Sequence, residues 1–115
     1  KTGTNEAKLT VKVTAEELGR AVDAAIREKG KKLTDGLVAT AKKHGYDLHA
    51  SGAPALFYLR IADDPSLTLH QRWIAECVKR GVFFTNHHNH FMSYTITDDD
   101  IAETIQIADE AFAAL

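Results

Sequence analysis

Three of the six histidines of this chain, His87, His88 and His90, fall within four residues. Neutral imidazole ligates zinc, copper or nickel, so a metal site is the first chemistry to weigh. On a strand, His88 and His90 share a face. No cysteine flanks them, and two histidines leave a tetrahedral shell half filled. A polar loop lining some other site is therefore the better reading of these histidines. Asp98, Asp99 and Asp100 follow Thr97 directly. Paired carboxylates can exchange protons with a substrate. Directly after a capping threonine, however, they fit the first turn of a helix, where the dipole favours negative charge by roughly 0.3–1 kcal/mol each. Cys77 is a candidate nucleophile, but it shares an apolar stripe with Leu69 and Trp73 and reads as a small buried hydrophobe. A lysine that forms a Schiff base needs a desolvated amine. All nine lysines (Lys1, Lys8, Lys12, Lys29, Lys31, Lys32, Lys42, Lys43 and Lys79) fall in polar positions. Ser51-Gly52-Ala53-Pro54 is too short for a phosphate loop and opens no helix. The residues compose no complete catalytic set, so catalytic, cofactor-binding and metal-binding residues are all expected to be absent.

The elements that must position these residues follow from periodicity. Residues 1–7 are polar without a period and read as a disordered leader. Leu9, Val11 and Val13 alternate with Thr10 and Lys12, a half-buried strand. Thr14 and Glu17 spell a capping box. Leu18, Val22, Ala25, Ile26, Leu33, Leu37 and Ala41 keep one apolar stripe in phase across Gly30 and Gly36. One helix over residues 15–44 is favoured, with a break near Gly30 as the alternative. Gly45 suits its C-terminal cap. Residues 47–50 are a weak strand. Residues 55–61 are apolar on both alternating faces and predict a central strand covered on both sides. Asp63-Asp64-Pro65-Ser66 signals a turn and a helix start. Leu69, Trp73, Cys77 and Arg80 line the following helix, which Gly81 ends. Residues 82–84 and 91–96 read as strands around the polar loop. Ile101, Ile105, Ala108, Phe112 and Leu115 make the stripe of the last helix.

Composition narrows the class. One hundred and fifteen residues suffice for one domain, and 44% hydrophobic with 26% charged residues is an ordinary globular balance. The net charge of −2 gives no general attraction to nucleic acid. Residues 1–45 carry ten basic and six acidic side chains and residues 46–115 four and ten. That asymmetry fits solvated helix faces better than a nucleic-acid patch. A single cysteine makes no internal disulfide. No apolar run approaches a membrane span and no signal-peptide pattern is visible, so a cytoplasmic setting without nucleic-acid or membrane partners is expected. The fold expected is α+β, a two-layer sandwich of a mainly antiparallel sheet of about four strands with three helices, the first one long. Residues 8–115 form the single domain.

The run Arg80-Gly81-Val82-Phe83-Phe84, Thr85-Asn86-His87-His88-Asn89-His90, Phe91-Met92-Ser93 and Thr97-Asp98-Asp99-Asp100-Ile101 resembles the C-terminal end of class-III aminotransferases. Within that family it is most similar to the glutamate-1-semialdehyde aminomutase-like members. Residues 30–37, His44-Gly45, residues 51–54 and residues 107–112 agree. The resemblance covers residues 26–115, while residues 8–25 are an atypical strand–helix start. It implies a fold-type-I, usually dimeric enzyme using pyridoxal phosphate, whose small domain is an antiparallel sheet with helices on one side. It further implies that Thr85, Asn86, His87, His88, Asn89 and His90 shape the substrate pocket. The cofactor's lysine and its aspartate partner belong, in the family, to a large domain upstream. The expectation is an isolated or redesigned small domain that holds no cofactor and is inert alone. A self-associating module and a metal-binding protein are the alternatives. Self-association would use an exposed sheet face or a former domain interface.

Overall fold

A computed structural model describes residues 12–85 and 88–115. Its elements are helix α1 (Ala15–Lys43), strands β1 (Leu48–Ala53) and β2 (Leu56–Ile61), helix α2 (Thr68–Lys79), strand β3 (His90–Phe91) and helix α3 (Asp98–Ala113). The fold is α+β, with three helices and an antiparallel sheet in the order β1-β2-β3.

Helix α1 runs unbroken for 29 residues. Thr14 and Glu17 cap it reciprocally, each side chain accepting the other's backbone N–H. Gly45, at φ +84°, lets the chain turn away in the left-handed conformation. The helix does not break at Gly30, because that glycine serves packing. A Cβ there would collide with the Pro54 carbonyl oxygen, at the tip of the β1–β2 hairpin. From Gly30 onward the stripe is buried through Leu33, Leu37, Thr40 and Ala41.

The sheet is smaller than the four strands expected. Among the described residues it has three. The expected first strand lies mostly outside the described residues; Lys12 and Val13, which are described, are irregular and exposed. Residues 82–84 form no strand, and the strand expected over 91–96 is reduced to His90–Phe91. Phe84 turns inward onto Trp73 instead, with ring centroids 5.4 Å apart. Aromatic packing thus takes the place of a ladder. The weak strand grows to six residues, pairing Leu48 with Ile61 through Ala53 with Leu56. β2 is central as expected but covered on one side only: Phe57, Leu59 and Ile61 are buried, whereas Leu56, Tyr58 and Arg60 are not.

Trp73 anchors the core. It stacks on Phe112 at 4.6 Å and donates its indole N–H to the Ala108 carbonyl at 3.3 Å. Tyr46 stacks on the far face of this cluster against Phe112 at 5.6 Å. Cys77 is completely buried beside it, and burial pushes the thiol pKa up to about 12. It is a core residue, as its stripe position implied. No helix among the described residues is long and apolar enough to cross a membrane.

Candidate functional site: the histidine loop and its cleft

The histidine loop joins an irregular arm to β3, and its geometry starts at His90. Pairing of β3 with Phe57 of β2 brings the imidazole over the Phe57 ring, centroids 5.3 Å apart and nearly parallel. Phe84 meets the same imidazole edge-on at 5.3 Å. The Thr85 backbone N–H donates to Nε2 of His90 at 3.0 Å. An Nε2 that accepts places the proton of neutral imidazole on Nδ1. Burial between aromatic rings lowers the His90 pKa, opposed by the Phe57 backbone. His90 is therefore a neutral, aromatic-packed residue that closes the loop.

His88 is exposed, and its carbonyl accepts from the Thr85 hydroxyl at 3.3 Å. Thr85 thus bridges both ends of the loop, to His88 and to His90. Asn89 is exposed at the rim. Asn86 and His87 lie outside the described residues. Among the described residues, no group of three or more His, Cys, Asp or Glu side chains could hold a metal ion.

Beneath the loop opens a cleft of about 420 Å³ between the arm 82–85, β2, β3 and α3. Thr85, Asn89 and His90 lie along it with Phe83, Phe84 and Met92. Phe83 and Phe91 are each 79% exposed. The sequence placed the three polar residues on a loop but took their aromatic neighbours for strand residues. No local signal separates the run Val82-Phe83-Phe84 from a short strand, since alternation alone fits both.

The other candidates resolve into structure. Asp98, Asp99 and Asp100 fill the first turn of α3. Thr97 and Asp100 form a second capping box, and the Thr97 N–H donated to the Asp100 carboxylate holds that group below the usual carboxylate range. Asp64 starts α2 from a distance, accepting from the backbone N–H groups of Leu69 at 3.2 Å and His70 at 2.8 Å. Asp64 is 8% exposed, and Leu67 at the cap itself adopts a left-handed φ of 61°. His44 and Lys43, at the end of α1, both meet Asp109 of α3, at 2.6 and 2.9 Å. Neither contact is visible in the sequence, because each joins segments far apart in the chain.

No lysine among the described residues fits an aldehyde cofactor. Lys29 donates to the Tyr94 carbonyl at 2.8 Å, and Lys31, Lys32, Lys43 and Lys79 each pair with a carboxylate at the surface. Lys12 and Lys42 are exposed. A Schiff base needs an amine that burial keeps partly uncharged, and none of these is so placed.

Compared with models of known protein families, the chain matches none. It does match characterised proteins. It is 37% identical over 86 residues to an aminopentol aminotransferase of Sphingopyxis macrogoltabida, covering 75% of this chain and 20% of that one. It is 34% identical over 103 residues to a glutamate-1-semialdehyde 2,1-aminomutase of Dechloromonas aromatica, covering 79% and 24%. Among solved structures it superposes on the FumI protein of a Sphingopyxis species in its pyridoxal phosphate internal aldimine form, with a TM-score of 0.77 and 35% identity. That match covers 79% of this chain and 22% of the other. The chain therefore spans about a fifth to a quarter of the length of these relatives.

Proposed function

Starting from a chain related to one segment of class-III, pyridoxal phosphate-dependent aminotransferases and aminomutases, we propose that it serves as their small C-terminal domain. In this reading residues 85–90 form one wall of a substrate site. The reactive lysine and the cofactor's other contacts come from polypeptide outside these 115 residues. The 115 residues alone are then catalytically inert. The observation that carries the reading is the agreement of sequence and fold over the same stretch, with 35% identity at a TM-score of 0.77 to a pyridoxal phosphate enzyme. Inertness is supported by the lysines, every described one of which is exposed or engaged at the surface. A cytoplasmic setting suits a chain whose one cysteine is a buried free thiol.

The test is a chimera. Residues 26–115 replace the matching segment of the Sphingopyxis macrogoltabida aminotransferase, and the product is assayed for cofactor absorbance and transamination. The reading predicts a chimera that binds pyridoxal phosphate and turns over. A folded, cofactor-loaded chimera without turnover contradicts it.

A second reading, self-association, is favoured by one observation. The first turns of α1 carry Leu18 at 55% exposure, next to Val13 at 53%. Sedimentation of the 115-residue protein over a hundredfold concentration range tests it. A constant monomer mass ends that reading.

A further inference from the structure

The cleft beneath the histidine loop has a one-sided chemistry. Eight of its twelve described lining residues are apolar, and none of those described is Lys, Arg, Asp or Glu. Its polar residues are uncharged: Thr85, Asn89, Thr104 and His90. His90 is kept neutral by its packing on Phe57 and by the Thr85 N–H that occupies Nε2. A volume of about 420 Å³ lies within the roughly 300–1,000 Å³ of small-molecule clefts, and an apolar lining with a few placed polar groups is their usual make-up. The aromatic side chains at the mouth, Phe83 and Phe91, are each left 79% in water.

We propose that this cleft binds the uncharged alkyl portion of a small-molecule ligand, with Thr85 and Asn89 meeting a hydroxyl or carbonyl at its rim. Charge decides the class. A carboxylate buried against these walls would be desolvated without a cation to compensate it. A hydrocarbon chain loses no hydrogen bonds by entering and releases water from Phe83 and Phe91. Describing the ligand as a substrate rests on the aminotransferase reading; its capture by the 115-residue protein does not.

The experiment titrates the 115-residue protein with hexan-1-ol, heptan-1-ol, octan-1-ol and nonan-1-ol, followed by NMR shifts of Phe84, Met92 and Thr104. Saturable binding is expected, tightening about fourfold per added methylene. Glutarate, a dicarboxylate of similar span, leaves these signals unmoved. Phe83→Asp weakens octan-1-ol binding at least tenfold and leaves the melting temperature in place, because Phe83 is exposed. Phe91→Asp does the same from β3. A chain-length series without a trend overturns the proposal, as do shifts confined to Leu56 and Tyr58 on the open sheet face. An active chimera with no alkanol binding sinks this inference alone. Alkanol binding beside an inactive chimera sinks the aminotransferase reading alone.

Discussion

The two ends of α1 are built from the same sequence pattern and meet opposite fates. From Gly30 to Ala41 the apolar stripe is buried against the hairpin and α3, with Leu37 and Ala41 at 0% exposure. From Ala15 to Ala24 the stripe continues in phase, yet Leu18 remains 55% exposed. The exposed end is held by local devices: a capping box and the i,i+4 pairs of Glu16 with Arg20 and Asp23 with Arg27. Such pairs contribute only about 0.2–0.5 kcal/mol each. The buried end is fixed by long-range contacts, of which the Pro54 carbonyl over Gly30 and the Asp109 carboxylate at Lys43 and His44 are the clearest. Periodicity states which face of a helix is apolar. It does not state what covers that face.

The largest effect should separate two leucines of this one helix. Leu37→Ala removes a fully buried side chain and should cost about 2–5 kcal/mol, whereas Leu18→Ala should stay within about 0.5 kcal/mol. Denaturant unfolding of both variants checks the pair, and similar costs would break the comparison. Next comes Gly30→Ala. Its Cβ meets backbone rather than a flexible side chain, so the hairpin must shift, at about 1–3 kcal/mol. Gly19→Ala, with nothing within 4 Å of its Cβ, should stabilise the helix by up to about 1 kcal/mol. Opposite signs in thermal melts are the expected outcome.

The two capping boxes sharpen the contrast further. Thr97→Ala should cost about 1 kcal/mol, because α3 is packed from its first turns. Thr14→Ala should cost under about 0.5 kcal/mol of global stability, because it frays an end that already stands apart from the core. Amide hydrogen exchange would show the fraying directly.

The smallest effect concerns pH at the packed end. Hydrogen bonds from Lys43 and His44 hold the Asp109 carboxyl below its usual value of 3.8. A carboxylate lowered in the folded state stabilises the fold above the unfolded value, and that stabilisation is lost as pH falls through the lowered one. Asp109→Asn should therefore flatten the acid limb of the stability curve below about pH 4 and leave its neutral-to-alkaline side in shape.

The sequence showed most of the fold where signals are local. The Thr14–Glu17 capping box, the Thr97 cap, the length of α1, the central strand and the stripe of α3 all depend on neighbours within a few residues. Residues 82–84 misled because three apolar residues satisfy a strand pattern whether or not a partner strand exists. Their partners are Trp73 and His90, ten residues before and seven after the centre of that run. The His44–Asp109 contact was hidden for the same reason, whereas Asp63-Asp64-Pro65-Ser66 marked the start of α2 without showing that Asp64 bonds Leu69 and His70. At the site, the cluster of polar residues at 85–90 was legible by composition alone. The apolar cleft under it was not, since Leu33, Phe57 and Thr104 reach it from three separate elements.

In the proposed reading, these residues belong to a pyridoxal phosphate enzyme whose reactive lysine lies outside them. The most direct measurement incubates the 115-residue protein with pyridoxal phosphate, reduces with sodium borohydride and maps the adducts by intact and peptide mass. The account predicts sparse labelling spread over several surface lysines. A single lysine modified to one equivalent would contradict it.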